Sequence, residues 1–166
     1  MLSMIPLAAC NWSTGVKQCG PETRVAEAYG YVVLTDGTSM ANGNVTLFES
    51  RDPGQQAEVA GLAVNFQSDV LRGHVTKVEL HDSGTPARLL GTYSILSLSS
   101  SLPPNIAGFQ GPYDWSISLD EARTLIVGGQ VAFEVQTDLA NQPSVRFTLT
   151  SIGSNDWSRE SGESCG

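Results

Sequence analysis

Between Val25 and Ser151 the chain falls into eight short runs of alternating apolar and polar residues, each bounded by Gly, Pro, Asn, Asp or Ser. Alternation at a period of two marks a strand with one buried face and one wet face. Runs this short, cut at this spacing by turn formers, point to an all-β fold. The expected strands are Val25–Leu34, Asn44–Glu49, Val59–Gln67, Leu71–Asp82, Leu89–Ser99, Tyr113–Leu119, Gln130–Asp138 and Ser144–Ser151. Val131, Phe133 and Val135 alternate with Glu134 and Gln136, and Val145, Phe147 and Leu149 with Arg146 and Thr148. Tyr113, Trp115, Ile117 and Leu119 alternate in the same way with Asp114, Ser116 and Ser118. One helical signal follows: Ser118 caps, Glu121 stands three residues on, and Gly128-Gly129 ends the segment after one or two turns. The expected fold is an antiparallel Greek-key β-sandwich, immunoglobulin-like or barrel-like, with one short helical turn.

The segments flanking the strands lack a hydrophobic period. Residues 1–24 are expected to form a leader-like start and a tether, 25–153 the β-domain, and 154–166 a polar tail. Leu7-Ala8-Ala9-Cys10 resembles a bacterial lipobox, in which small residues precede a cysteine that carries lipid, although no basic stretch and only a short apolar one precede it. Cys19 and Cys165 lie in the two flanking segments, so a disulfide between them would staple the ends if the termini are close. No Cys-x-x-Cys spacing occurs, and zinc is not expected. The expected address is therefore extracytoplasmic: secreted, periplasmic or lipid-anchored. Seventeen acidic residues against nine basic ones leave a charge of -8, which repels phosphate backbones and argues against nucleic-acid partners. No apolar run approaches the roughly 20 residues of a membrane-spanning helix.

The same alternation places candidate binding residues. With Val78 and Leu80 facing the core, Lys77, Glu79 and His81 share the opposite face, and Glu134, Gln136 and Arg146 point outward on their own strands. If those strands are neighbours, Glu79, His81, Glu134, Gln136 and Arg146 form one polar cluster. Cross-strand ion pairing is the simplest account of it. A ligand face with Arg146 as a forked donor, and a divalent metal on His81 with Glu79 or Glu134, stand beside it. His74 is expected to be hydrogen-bonded at a sheet margin. Ser97 to Pro112 reads as a long loop, extended at Pro103-Pro104, and its Pro103–Pro112 part with Phe109 would support carbohydrate binding. No Gly-x-Ser-x-Gly elbow occurs, Asp120-Glu121 fit helix capping, and no cofactor is expected.

The order of these segments resembles the chordin-type (CHRD) domain. The resemblance rests on Met40–Phe48, Val78-Glu-Leu-His81, the helical turn before Gly128-Gly129, Val131–Thr137, the Asn141-Gln-Pro143 turn and Ser144-Val-Arg146. His81, Thr137 and Arg146 match polar markers of that pattern, while Glu79 and Gln136 stand where it carries histidine. The resemblance spans about residues 25 to 151 and implies an extracellular β-sandwich module. The expected function is a non-catalytic binding or scaffolding module with a protein or carbohydrate ligand. The alternatives are a metal-dependent protein or enzyme using the Glu79/His81/Arg146 face, or a carbohydrate-binding module.

Overall fold

The computed structural model describes residues 11–13, 16–18, 21–52, 58–71, 73–94 and 106–159. Cys10, Cys19 and Cys165, and with them the lipid and disulfide expectations, lie outside the described residues. The strands are β1 (Asn11–Ser13), β2 (Val16–Gln18), β3 (Glu22–Val33), β4 (Met40–Arg51), β5 (Glu58–Gln67), β6 (Val75–Asp82), β7 (Leu89–Tyr93), β8 (Ile106–Pro112), β9 (Val131–Thr137), β10 (Ser144–Ser154) and β11 (Ser158–Arg159). A helix, α1 (Leu119–Val127), precedes β9. β1 pairs with β2; the main sheet runs β7-β6-β9-β10-β3-β4-β5-β8, and β11 adds to β3.

Every pairing is antiparallel. The sheet curls until its edges approach, giving a nearly closed, barrel-like sandwich. Tyr93 of edge strand β7 and Phe109 of edge strand β8 meet with ring centroids 4.6 Å apart. The interior holds the apolar half of each alternation: Val78 and Leu80, Val131, Phe133 and Val135, and Val145, Phe147 and Leu149. Phe133 and Phe147 sit opposite each other across β9 and β10 and stack at 5.4 Å. Room for Phe147 comes from Gly30 and Gly43, which face each other across β3 and β4. A Cβ on Gly43 would lie 3.0 Å from the Phe147 ring.

The helix begins as its sequence implies, with the Ser118 hydroxyl accepting from the Glu121 amide at 3.2 Å. The Glu121 carboxylate does not reach back to complete the box. It accepts instead from Arg88 Nη2 at 2.6 Å. Gly129, at φ +63°, supplies the left-handed residue after the helix, while Gly128 stays right-handed. Ala122 and Ile126 are the fully buried residues of α1.

Two expectations need correction. Tyr113–Leu119 keeps its alternating burial but is not a strand, because its backbone bonds go to two separate strands instead of one ladder. The Tyr113 amide donates to Ala60 of β5 and the Ser116 amide to Leu90 of β7, so the segment bridges the two sides of the seam. Trp115 is buried there and donates to the Tyr93 hydroxyl at 3.0 Å. Residues 106–112 form strand β8 on β5 and are not part of a loop, which half-buries Phe109 and removes it as an open aromatic. The strands also run past the ends of the expected β-segments. β3 opens at Glu22, and Asn155 to Arg159 dock back onto β3 through the Asn155 amide on Val25 and the Ser158–Thr23 pairing.

The seam has a pH consequence. The Tyr93 hydroxyl donates to Asp114 Oδ1 at 2.7 Å, and burial, reinforced by that carboxylate, pushes its ionisation far above the ordinary tyrosine value. Burial likewise pushes Tyr113 up to about 12. Phenols that stay protonated only in the folded state stabilise it fully below their unfolded value of about 10. That contribution is lost as pH rises from there through the folded values. Urea melts are therefore expected to show lower stability at pH 11 than at pH 9, and equal stability would contradict this seam.

Candidate functional site

Register brings the five predicted polar residues together. β9 lies between β6 and β10, with Glu79 opposite Glu134 and Glu134 opposite Arg146. Two carboxylates side by side repel, and cations surround them. Arg146 Nη1 donates to Glu134 at 3.1 Å, and Lys77 Nζ reaches Glu79 at 2.7 Å. That lysine contact holds the Glu79 carboxyl below the usual carboxylate range. Gln136 Nε2 lies 3.5 Å from Glu79. His81 Nε2 is 3.7 Å from Glu79 and 4.0 Å from Glu134, is buried, and makes no hydrogen bond. Two cations against two carboxylates leave the face internally balanced, as expected for cross-strand ion pairing. Among the described residues, no three of His, Cys, Asp and Glu are grouped to hold a metal. His74 lies before β6 and shares a 2.8 Å contact with Asp138.

A second polar cluster joins residues far apart in the sequence. Arg24 on β3 and Glu49 on β4 are register partners that both point inward, at one end of the barrel. Arg123 of α1 reaches the same carboxylate. Glu49 is fully buried, with Arg24 Nη2 on Oε1 at 2.6 Å and Arg123 Nε on Oε2 at 2.7 Å. Above them, Trp157 lies 4.5 Å from the Arg24 guanidinium and 4.1 Å from that of Arg51. A cleft of about 500 Å³ runs between α1 and residues 154–157, bordered by Arg24, Arg123, Thr124, Asp156 and Trp157. Arg24 and Arg123 each donate to Glu49, and Arg24 Nη2 also lies 3.8 Å from Asp120 of α1, so the cluster clamps helix to sheet.

The third surface is the outer face of β3, β4 and β5. On β3 the inward positions are small: Ala26, Ala28 and Gly30. The larger side chains therefore point out. Tyr29 is 37% exposed, Tyr31 62%, Val33 51% and, across the register from Val33, Met40 52%. Beside them stand half-buried amides, Asn42 and Asn44 on β4 and Asn65 and Gln67 on β5. Hydrophobic alternation alone would bury the tyrosines. The signal against that is β4, where Ala41, Gly43, Val45 and Leu47 take the interior and leave both asparagines outside. Comparison with protein-family models, curated proteins and solved structures found no match. Among the described residues, no helix is long and apolar enough to cross a membrane.

Proposed function

We propose that this chain is a non-catalytic binding module that works outside the cytoplasm, with a component of the cell envelope held against the outer face of β3, β4 and β5. One observation carries the reading: four large apolar or aromatic side chains, Tyr29, Tyr31, Val33 and Met40, stand exposed side by side on that face. Contiguous exposed apolar surface of this kind marks an interaction site, whereas single exposed residues do not. The Glu79/His81/Arg146 face is balanced by its own ion pairs, and the two arginines at the α1 cleft each donate to Glu49. The address is proposed from the lipobox-like Leu7–Cys10, with Cys10 as lipid anchor, and from the chordin-type pattern.

Co-sedimentation with washed cell envelopes tests the reading. Wild-type protein is expected to pellet with them, while Tyr31→Ser stays in the supernatant with an unchanged melting temperature. Equal sedimentation of the two proteins, or none for either, would overturn it.

A further inference from the structure

Register arranges the outer face into two rows that run across the strands. One row is Tyr31, Asn42 and Gln67, meeting Ile106 on β8; the next is Tyr29, Asn44, Asn65 and Gly108. With strands about 4.8 Å apart, each row extends roughly 10–14 Å. Each opens on a tyrosine and continues through uncharged amides. Neither row contains a carboxylate, lysine or arginine, although the whole chain carries -8. Gly108 shapes the far end: a Cβ there would lie 2.3 Å from Asn65 Oδ1, so glycine lets that amide lie flat over β8.

We infer that this face binds a neutral, extended polysaccharide lying across the strands. The inference rests on the binding-module reading and assigns its ligand class. A pyranose ring offers an apolar C–H face to an aromatic ring and a rim of hydroxyls that both donate and accept. A carboxamide answers with two donors and an acceptor oxygen. The amides have capacity to spare, since the bond from Asn42 to Gln67 is 3.5 Å and that from Asn44 to Thr46 is 3.4 Å, both at the limit. An apolar protein surface seated on Tyr31 and Met40 would bury those amides without partners, and each unsatisfied group costs about 1–3 kcal/mol. A hydroxyl-rich ligand avoids that cost. An anionic glycan meets a protein of the same sign, with Glu27 next along the β3 face.

Native gels cast with neutral polysaccharides (hydroxyethylcellulose, xylan, mannan, laminarin) or anionic ones (alginate, hyaluronate) test the inference by retardation. The wild type is expected to be slowed in at least one neutral gel and in neither anionic gel. Tyr31→Ala should weaken that retardation about tenfold, as for loss of an aromatic anchor. Asn42→Ala and Asn65→Ala should weaken it severalfold, and Arg146→Ala should leave it unchanged. Circular dichroism of each variant separates lost binding from lost fold. No retardation by any neutral polysaccharide, retardation by the anionic gels only, or retardation that survives Tyr31→Ala would overturn the inference. Failure here with Tyr31-dependent sedimentation on envelopes would point to a protein or other partner on the same face. Failure of both would remove the binding reading as well.

Discussion

Glu49→Ala is expected to destabilise the fold by about 3–5 kcal/mol, the range for breaking a buried ion pair by removing one partner. The carboxylate is fully buried and takes hydrogen bonds from Arg24 and Arg123. Without it, the Arg24 and Arg123 guanidinium groups lose the buried carboxylate they share, and Arg24 keeps the exposed Asp120 carboxylate at 3.8 Å. Arg123 is also one of the ties between α1 and the sheet, beside the Arg88–Glu121 pair and the buried Ala122 and Ile126, so the amides of α1 should exchange faster than in the wild type. Urea melts measure the loss, and hydrogen exchange locates it. Replacing all three residues by methionine and leucine of similar volume should recover most of the stability, because an apolar cluster carries no desolvation cost. A loss below about 1 kcal/mol for Glu49→Ala, the range of exposed pairs, would show that the clamp is solvated.

Phe133→Ala is expected to cost a similar amount, about 3–5 kcal/mol, for a different reason. Its ring is fully buried at the middle of β9 and stacks on Phe147. Phe147 is fixed between Gly30 and Gly43, so it cannot move far to refill the space. A cavity therefore remains, and its volume adds to the lost transfer energy. One residue along the same strand, Glu134 points outward and pairs with Arg146, which is about half exposed. Arg146→Ala should cost no more than about 1 kcal/mol by the same urea melts. Similar losses for Phe133→Ala and Arg146→Ala would contradict the assignment of inside and outside on this sheet.

That assignment was largely legible in the sequence. Where large apolar residues alternate with charged ones, as in Val145-Arg146-Phe147, burial energy and strand geometry agree and the faces are fixed. The clustering of Glu79, His81, Glu134, Gln136 and Arg146 followed from the same alternation once β6, β9 and β10 became neighbours. Alternation failed where it did not reflect a ladder. Tyr113–Leu119 alternates because it lines the seam, while β8, with two glycines and a terminal proline, carries almost no strand signal. The Arg24–Glu49–Arg123 clamp joins residues 25 and 74 positions apart, a distance no local pattern spans. β3 inverts the usual rule, with alanine and glycine inside and tyrosine outside, because Phe147 already fills the interior there.

The binding face is tested most directly by mapping amide shifts in the ¹⁵N-labelled protein. Soluble oligosaccharides from the neutral polysaccharide that retards the wild type most would serve as titrant. The account predicts shifts along Tyr29–Val33, Met40–Thr46 and Ala63–Gln67, with little change elsewhere. Shifts centred on His81, Glu134 and Arg146, shifts at Arg123 and Trp157, or none at all, would contradict it.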